Sequence, residues 1–164
     1  MAESILKGLR ILAVDDEPDI LETVQDILDE SEVETASSYE EALKKLGENE
    51  YDLAILDIMG VDGMQLLVET VNRRIPTVML TAHAMNPEAL KSSLDKGALS
   101  YLPKEELPNL KSFVEEALQA FRDGHSTSSI LFDRLGKFFD RAFGAQWAKD
   151  DPDFWRYHGY FGPY

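Results

Sequence analysis

The sequence predicts an α/β protein built on a doubly wound, five-stranded parallel sheet. Five short apolar runs alternate with five segments of helical period. Each parallel return needs a crossover, usually a helix, so the alternation argues for a sheet covered on both faces. In addition, acidic, hydroxyl or amino side chains stand at the ends of four of the runs, where ligands of open α/β sheets bind.

The first run is residues 10–14 (RILAV). Asp15-Asp16-Glu17 follows, and Pro18 suits the first position of a helix whose apolar face is Ile20, Leu21, Val24, Ile27 and Leu28. Residues 33–36 read as a weaker second strand. Ala42, Leu43 and Leu46 mark a second helix, which Gly47 is expected to end. The third run, 53–56 (LAIL), leads into Asp57, and Met64, Leu67, Val68 and Val71 give a third helix. The fourth run, 76–80 (PTVML), leads into Thr81. Asn86 is a helix cap with Pro87 at the first position, and Gly97 closes that helix. The fifth run, 99–102, precedes Pro103-Lys104, and a fifth helix is expected over about 107–121. Right-handed crossovers leave few topologies.

Composition narrows the function. The chain has 164 residues, 44% hydrophobic and 29% charged, as in globular proteins. No apolar run approaches the ~20 residues of a membrane span, and the N-terminus lacks a signal-peptide core. The absence of cysteine excludes disulfide and thiolate chemistry. A cytoplasmic location is the expectation. The net charge of -15 disfavours nucleic acid and anionic lipid. That charge is uneven: residues 1–121 carry all of it, whereas 122–164 hold 6 basic and 6 acidic residues and 11 of the 16 aromatics. Two units follow, 1–121 and an aromatic-rich helical extension at 122–164.

Asp15, Asp16, Asp57, Thr81 and Lys104 are expected to converge on one edge of the sheet. Taken singly, each has an ordinary reading as cap, loop carboxylate, turn hydroxyl or solvated charge. Taken together, they make a site. Carboxylates ~4 Å apart repel by about 4 kcal/mol per pair at an effective dielectric of ~20, so they need cations. Lys104 supplies one, and an oxygen-only site suits Mg²⁺, or Mn²⁺, as the other. Such a site favours phosphoryl transfer to a carboxylate, because metal and ammonium screen the anionic donor. Thr81 can then donate a hydrogen bond to a phosphoryl oxygen.

The strings ILAVDDE, LAILD, MLTA and GA-x-SYLPK, in that order over residues 8–121, resemble the receiver domains of two-component response regulators. The resemblance implies a flavodoxin-like, CheY-like sheet of strand order 2-1-3-4-5. It makes Asp57 the phosphoacceptor. Asp16, Asp57 and the Met59 carbonyl become direct metal ligands, and Asp15 acts mainly through metal-bound water. Lys104 pairs with Asp57 or its phosphate. Thr81 and Tyr101 become a switch pair, Thr81 moving toward the phosphate and Tyr101 turning inward. The implied partner is a phosphohistidine on a sensor histidine kinase or phosphotransfer protein. Three departures stand out. The segment 57–63 is about two residues shorter than usual and lacks a proline. Glu105 replaces the proline that usually follows the lysine, so the Lys104–Glu105 bond is expected to be trans. Met59 and His83 occupy positions that tune autodephosphorylation.

In the extension, Ser126–Ser129 offers candidate caps, and Phe132, Leu135, Phe139 and Phe143 recur at helical spacing. Such a stripe must bury itself, either as a sixth helix against the receiver or as a dimer or partner interface. The polar face is too weakly basic for a membrane helix. The extension is short for a DNA-binding domain and has no basic footprint. Output through protein–protein contact is the expectation. His125 and His158, without partners at ligand spacing, read as surface residues. A phosphorylation-independent scaffold is the competing function. A turnover phosphatase would need an acid two residues after Asp57, where Met59 stands.

Overall fold

A computed structural model describes residues 3–82 and 86–160. The strands are β1 Arg10–Val14, β2 Glu32–Ala36, β3 Leu53–Asp57, β4 Thr77–Thr81 and β5 Ser100–Pro103. The helices are α1 Pro18–Ile27, α2 Tyr39–Glu48, α3 Gly63–Asn72, α4 Pro87–Asp95, α5 Leu110–Arg122, α6 Thr127–Phe143 and α7 Pro152–Tyr157. All strand pairs are parallel, in the order β2-β1-β3-β4-β5. The doubly wound sheet and its order are as the sequence predicts.

Burial explains the strands. Every residue of β3 and β4 is buried, because helices cover both faces of the sheet centre. β2 is an edge strand, buried only at Ala36, which is why its sequence signal is weak. Its outer part is charged: Arg10 on β1 pairs with Glu34 at 2.8 Å, and the Tyr51 hydroxyl donates to the same carboxylate.

Some boundaries differ from expectation. Gly47 lies inside α2, which runs to Glu48; its missing side chain leaves open space, so the helix continues at a modest cost of about 1 kcal/mol. A 3-10 helix, Lys104–Asn109, precedes α5, which starts at Leu110 rather than 107. Pro108 lies in that tighter segment, where its lack of an N–H matters less. The predicted caps do form. Asn86 accepts a hydrogen bond from the Ala89 N–H at 2.8 Å, and Ser126 accepts one from Ser129 N at 3.2 Å. No cis peptide occurs among the described residues, Lys104–Glu105 included.

The extension packs on the receiver. α6 lies against β5 and α5, and Phe132, Leu135 and Phe139 are buried, joining the main hydrophobic core. The intramolecular option is therefore the one this structure displays. Phe143 is half-buried and stacks on Phe139, with ring centroids 5.6 Å apart. Arg134 bonds Glu116 at 2.8 Å and lies over the Phe113 ring of α5. Gly144, at φ 92, ends α6. The chain then turns so that Trp147, Trp155 and Tyr160 close around Phe132. Asp151 pairs with Lys91 of α4 at 2.7 Å. His158 is not a free surface residue: it is half-buried, its Nδ1 is 3.2 Å from Ser128 Oγ, and burial lowers its pKa. Among the described residues, no helix is long and apolar enough to cross a membrane.

If α6 shares one core with the sheet, Phe139→Ala should lower the unfolding free energy by about 3–5 kcal/mol in urea titrations. Tyr157→Ala, on the exposed side of α7, should change it by less than about 0.5 kcal/mol.

Candidate functional site at the carboxyl edge of the sheet

Strand register assembles the site. Val14 is level with Leu56, Asp57 with Leu80, and Thr81 with Pro103. The residues that end β1, β3, β4 and β5 therefore emerge side by side. Asp15 follows β1 and is tied to β2 by its N–H, which donates to Ala36 O at 3.1 Å. Asp57 is the last residue of β3, Thr81 the last of β4, and Lys104 follows β5.

Lys104 binds this edge together. Its Nζ lies 2.9 Å from Asp15 Oδ2, 3.4 Å from Glu17 Oε1 and 3.6 Å from Asp57 Oδ1. Asp15 and Asp57 are almost wholly buried, whereas Asp16 and Glu17 face solvent. Burial pushes the Asp57 carboxyl up to about 6; the Asp15 charge adds to this and Lys104 opposes it. Burial also raises Asp15, against Lys104 and the Glu17 N–H, which donates to Asp15 Oδ1 at 2.9 Å. At Lys104, burial disfavours the charge, but Asp15, Asp57 and Glu17 prevail and hold the ammonium above its ordinary pKa.

These residues fit a hard cation. Asp15 Oδ2 is buried and, beyond its ion pair with Lys104, has no well-directed hydrogen bond. One carboxylate oxygen each from Asp15, Asp16 and Glu17 lie within 4.8 Å of one another. One ammonium among four carboxylates leaves a deficit of positive charge, and the donors are all oxygen. Asp57 stands outside the tight group and is linked to it through Lys104.

The short loop after Asp57 is folded closely onto the site. Ile58 and Val61 turn into the core, and Met59 projects outward, 64% exposed. Gly63 N donates to Ile58 O at 3.0 Å. Gly60 sits at φ 82, and a Cβ there would fall 2.3 Å from Asp16 Oδ2. A Cβ at Gly63 would fall 1.9 Å from the Asp57 carbonyl oxygen. Gly60 therefore demands glycine by its left-handed backbone, and Gly63 by close approach to the Asp57 and Ile58 backbone.

Thr81 and Tyr101 are both fully buried, and burial raises the Tyr101 phenol pKa. Tyr101 lies inward, under Phe139 of α6, with ring centroids 6.1 Å apart. Asp15, Asp16, Asp57, Thr81 and Lys104 thus share one edge, with Met59 on the adjoining loop. His83 lies outside the described residues. Phe132, Leu135, Phe139 and Phe143 belong to the extension, and the Phe139 ring lies on Tyr101. Glu17 has no place among the residues the sequence assigns to the site, and the run of three acids at 15–17 is the available signal.

Residues 11–115 match the response regulator receiver domain family. The chain belongs to that family. The receiver is 35% identical over 118 residues to the two-component response regulator ARR10 of Arabidopsis thaliana, covering 65% of this chain and 21% of that protein. It is 33% identical over 117 residues to the response regulator protein PilR of Pseudomonas aeruginosa, covering 67% of this chain and 26% of that protein. The chain thus spans about a fifth to a quarter of these relatives' length. Among solved structures it resembles the response regulator TrrA of Thermotoga maritima in complex with Mg²⁺-BeF, with TM-score 0.58 and 37% identity over 66% of this chain and 98% of that one. A receiver domain from Clostridium thermocellum gives TM-score 0.60 at 29% identity, over 70% of this chain and 97% of that one.

Because Asp57 is held above its ordinary pKa, folding binds its proton more tightly than the unfolded chain does. Its contribution to stability is full below about pH 4 and is lost as pH rises through about 6. In EDTA, Asp57→Asn should therefore raise the unfolding free energy at pH 7 by about 1–3 kcal/mol and flatten the profile between pH 4 and 6. Gly63→Ala should cost about 3 kcal/mol or more, by overpacking against the Asp57 carbonyl. Urea titration reads both.

Proposed function

We propose that this receiver accepts a phosphoryl group on Asp57 from a phosphohistidine and signals through protein–protein contact. The observation that carries the reading is the placement of Asp57 beside Lys104 at a carboxylate-rich strand edge. A carboxylate oxygen of Asp57 attacks phosphorus, the N–P bond breaks, and the imidazole leaves, taking a proton from solvent. Asp57 is left as an acyl phosphate. Lys104, within 3.6 Å of Asp57, neutralises charge on the transferred group, and Thr81 donates to one of its oxygens. Asp16 and Asp57, with the Met59 carbonyl, are the residues that would hold Mg²⁺, with Asp15 beside them. Bound there, Mg²⁺ supplies electrostatic stabilisation of the transferring phosphoryl. TrrA, whose structure holds Mg²⁺-BeF, supports the same chemistry here by similarity. The donor is a sensor histidine kinase or a phosphotransfer protein. The net charge of -15 argues against DNA as the output.

A second reading, a scaffold that works without phosphorylation, draws on the shortened loop at 57–63, whose glycines pack against Asp16 and the Asp57 carbonyl.

Incubation with Mg²⁺ and acetyl phosphate should add one phosphoryl group by intact mass. Asp57→Asn should abolish this, and Lys104→Ala should reduce it by about 10²-fold or more. No mass gain in the wild type, together with unaltered partner binding by Asp57→Asn, would sustain the scaffold reading instead.

A further inference from the structure

Glu17 stands at the acceptor edge in a role that helix capping does not explain. It is the N-cap residue of α1, yet its side chain makes no capping hydrogen bond. Its backbone N–H donates to Asp15 Oδ1 at 2.9 Å, which fixes the main chain. The carboxylate instead reaches to within 3.4 Å of Lys104 Nζ. Lys104 is drawn to the β1 side, since its contacts with Asp15, at 2.9 Å, and with Glu17 are both shorter than the 3.6 Å to Asp57. The Glu17 side chain is 60% exposed and free to turn, whereas Asp15 is buried and Lys104 nearly so.

Two observations point to a cation as the other claimant for this carboxylate. One oxygen each of Asp15, Asp16 and Glu17 lie within 4.8 Å of one another. Asp15, a member of that group, also keeps its Oδ2 buried without a well-directed hydrogen bond, balanced by the Lys104 ammonium. We propose that Glu17 exchanges partners: without a cation it holds Lys104 on the β1 side, and when Mg²⁺ binds it turns to the hydrated ion and leaves Lys104 to Asp57. This rests on the reading of the edge as a Mg²⁺-dependent phosphoacceptor site. Attraction scales with charge, so a divalent ion outbids one ammonium at a comparable distance. Mg²⁺ keeps several of its waters, through which a flexible carboxylate can hold it. Little opposes the exchange, because a pair with one partner so exposed holds weakly. Glu17 is thus a positioning residue. It touches no reacting atom, and it makes the ammonium available to the acceptor only when the cation is in place.

The probe is Mn²⁺ alone, added to full-length protein at fixed ionic strength and near-neutral pH, with the free ion read by electron paramagnetic resonance. Glu17→Gln should weaken Mn²⁺ binding about 10-fold, the scale expected for an indirect partner of a metal. Glu22→Gln, on the exposed side of α1, removes the same charge and should change the affinity by less than about 2-fold, being screened by salt. Equal affinity in wild type and Glu17→Gln, or equal losses in the two variants, would overturn the proposal and leave the phosphoacceptor reading standing. Wild-type protein that takes up no Mn²⁺ would defeat both. The exchange itself is tested with Lys104→Ala, which releases Asp15 and Glu17 together. It should tighten Mn²⁺ binding, and the gain should be smaller by about 3-fold or more in the Glu17→Gln background. Additive effects would overturn the exchange.

Discussion

The carboxyl edge of this sheet is governed by one ammonium shared among four carboxylates. Lys104 touches Asp15, Glu17 and Asp57, and Asp16 adds its charge nearby. Such crowding would relax in a flexible loop. Here it cannot, because the residues are fixed by parallel strands whose backbones are paired and whose faces are buried. The hydrophobic core therefore holds like charges together against their repulsion. Sites that keep groups in unfavourable surroundings are where function and stability compete.

The extension answers a different need of the same sheet. β5 is an edge strand with every residue buried, and α6 is part of its cover. α6 supplies it with phenylalanines, and the segment beyond it supplies tryptophans that pack edge-on to those rings. The aromatic residues of this neutral segment are thus accounted for by packing against β5 and α5, and two of its charges, Asp151 and Arg134, pair with Lys91 and Glu116.

The sheet and the clustering of polar residues at its carboxyl edge were legible because their signals are local. Apolar runs, proline at first helical turns, and polar residues at run ends each report on a few neighbouring positions. What escaped depends on three dimensions. Glu17 looks like a helix start until β5 brings Lys104 across to it. Gly60 and Gly63 look like turn residues; only the folded loop shows that one abuts Asp16 and the other the Asp57 carbonyl. The stripe through Phe139 announced burial but not its destination, since Tyr101 is 38 residues away in sequence. Gly47 misled in the opposite direction, since a glycine on an open helix face is tolerated.

The two borders of the sheet are finished differently, and that has a consequence for self-association. β5 is packed against α6, and all four of its residues are buried. β2 is open, and its unpaired side is guarded by Glu32 and Glu34 in a five-residue strand. Short length and acidic side chains discourage a second copy from docking edge to edge. If those acids were neutralised, β2 would be the border at which sheets could fuse into a continuous ribbon.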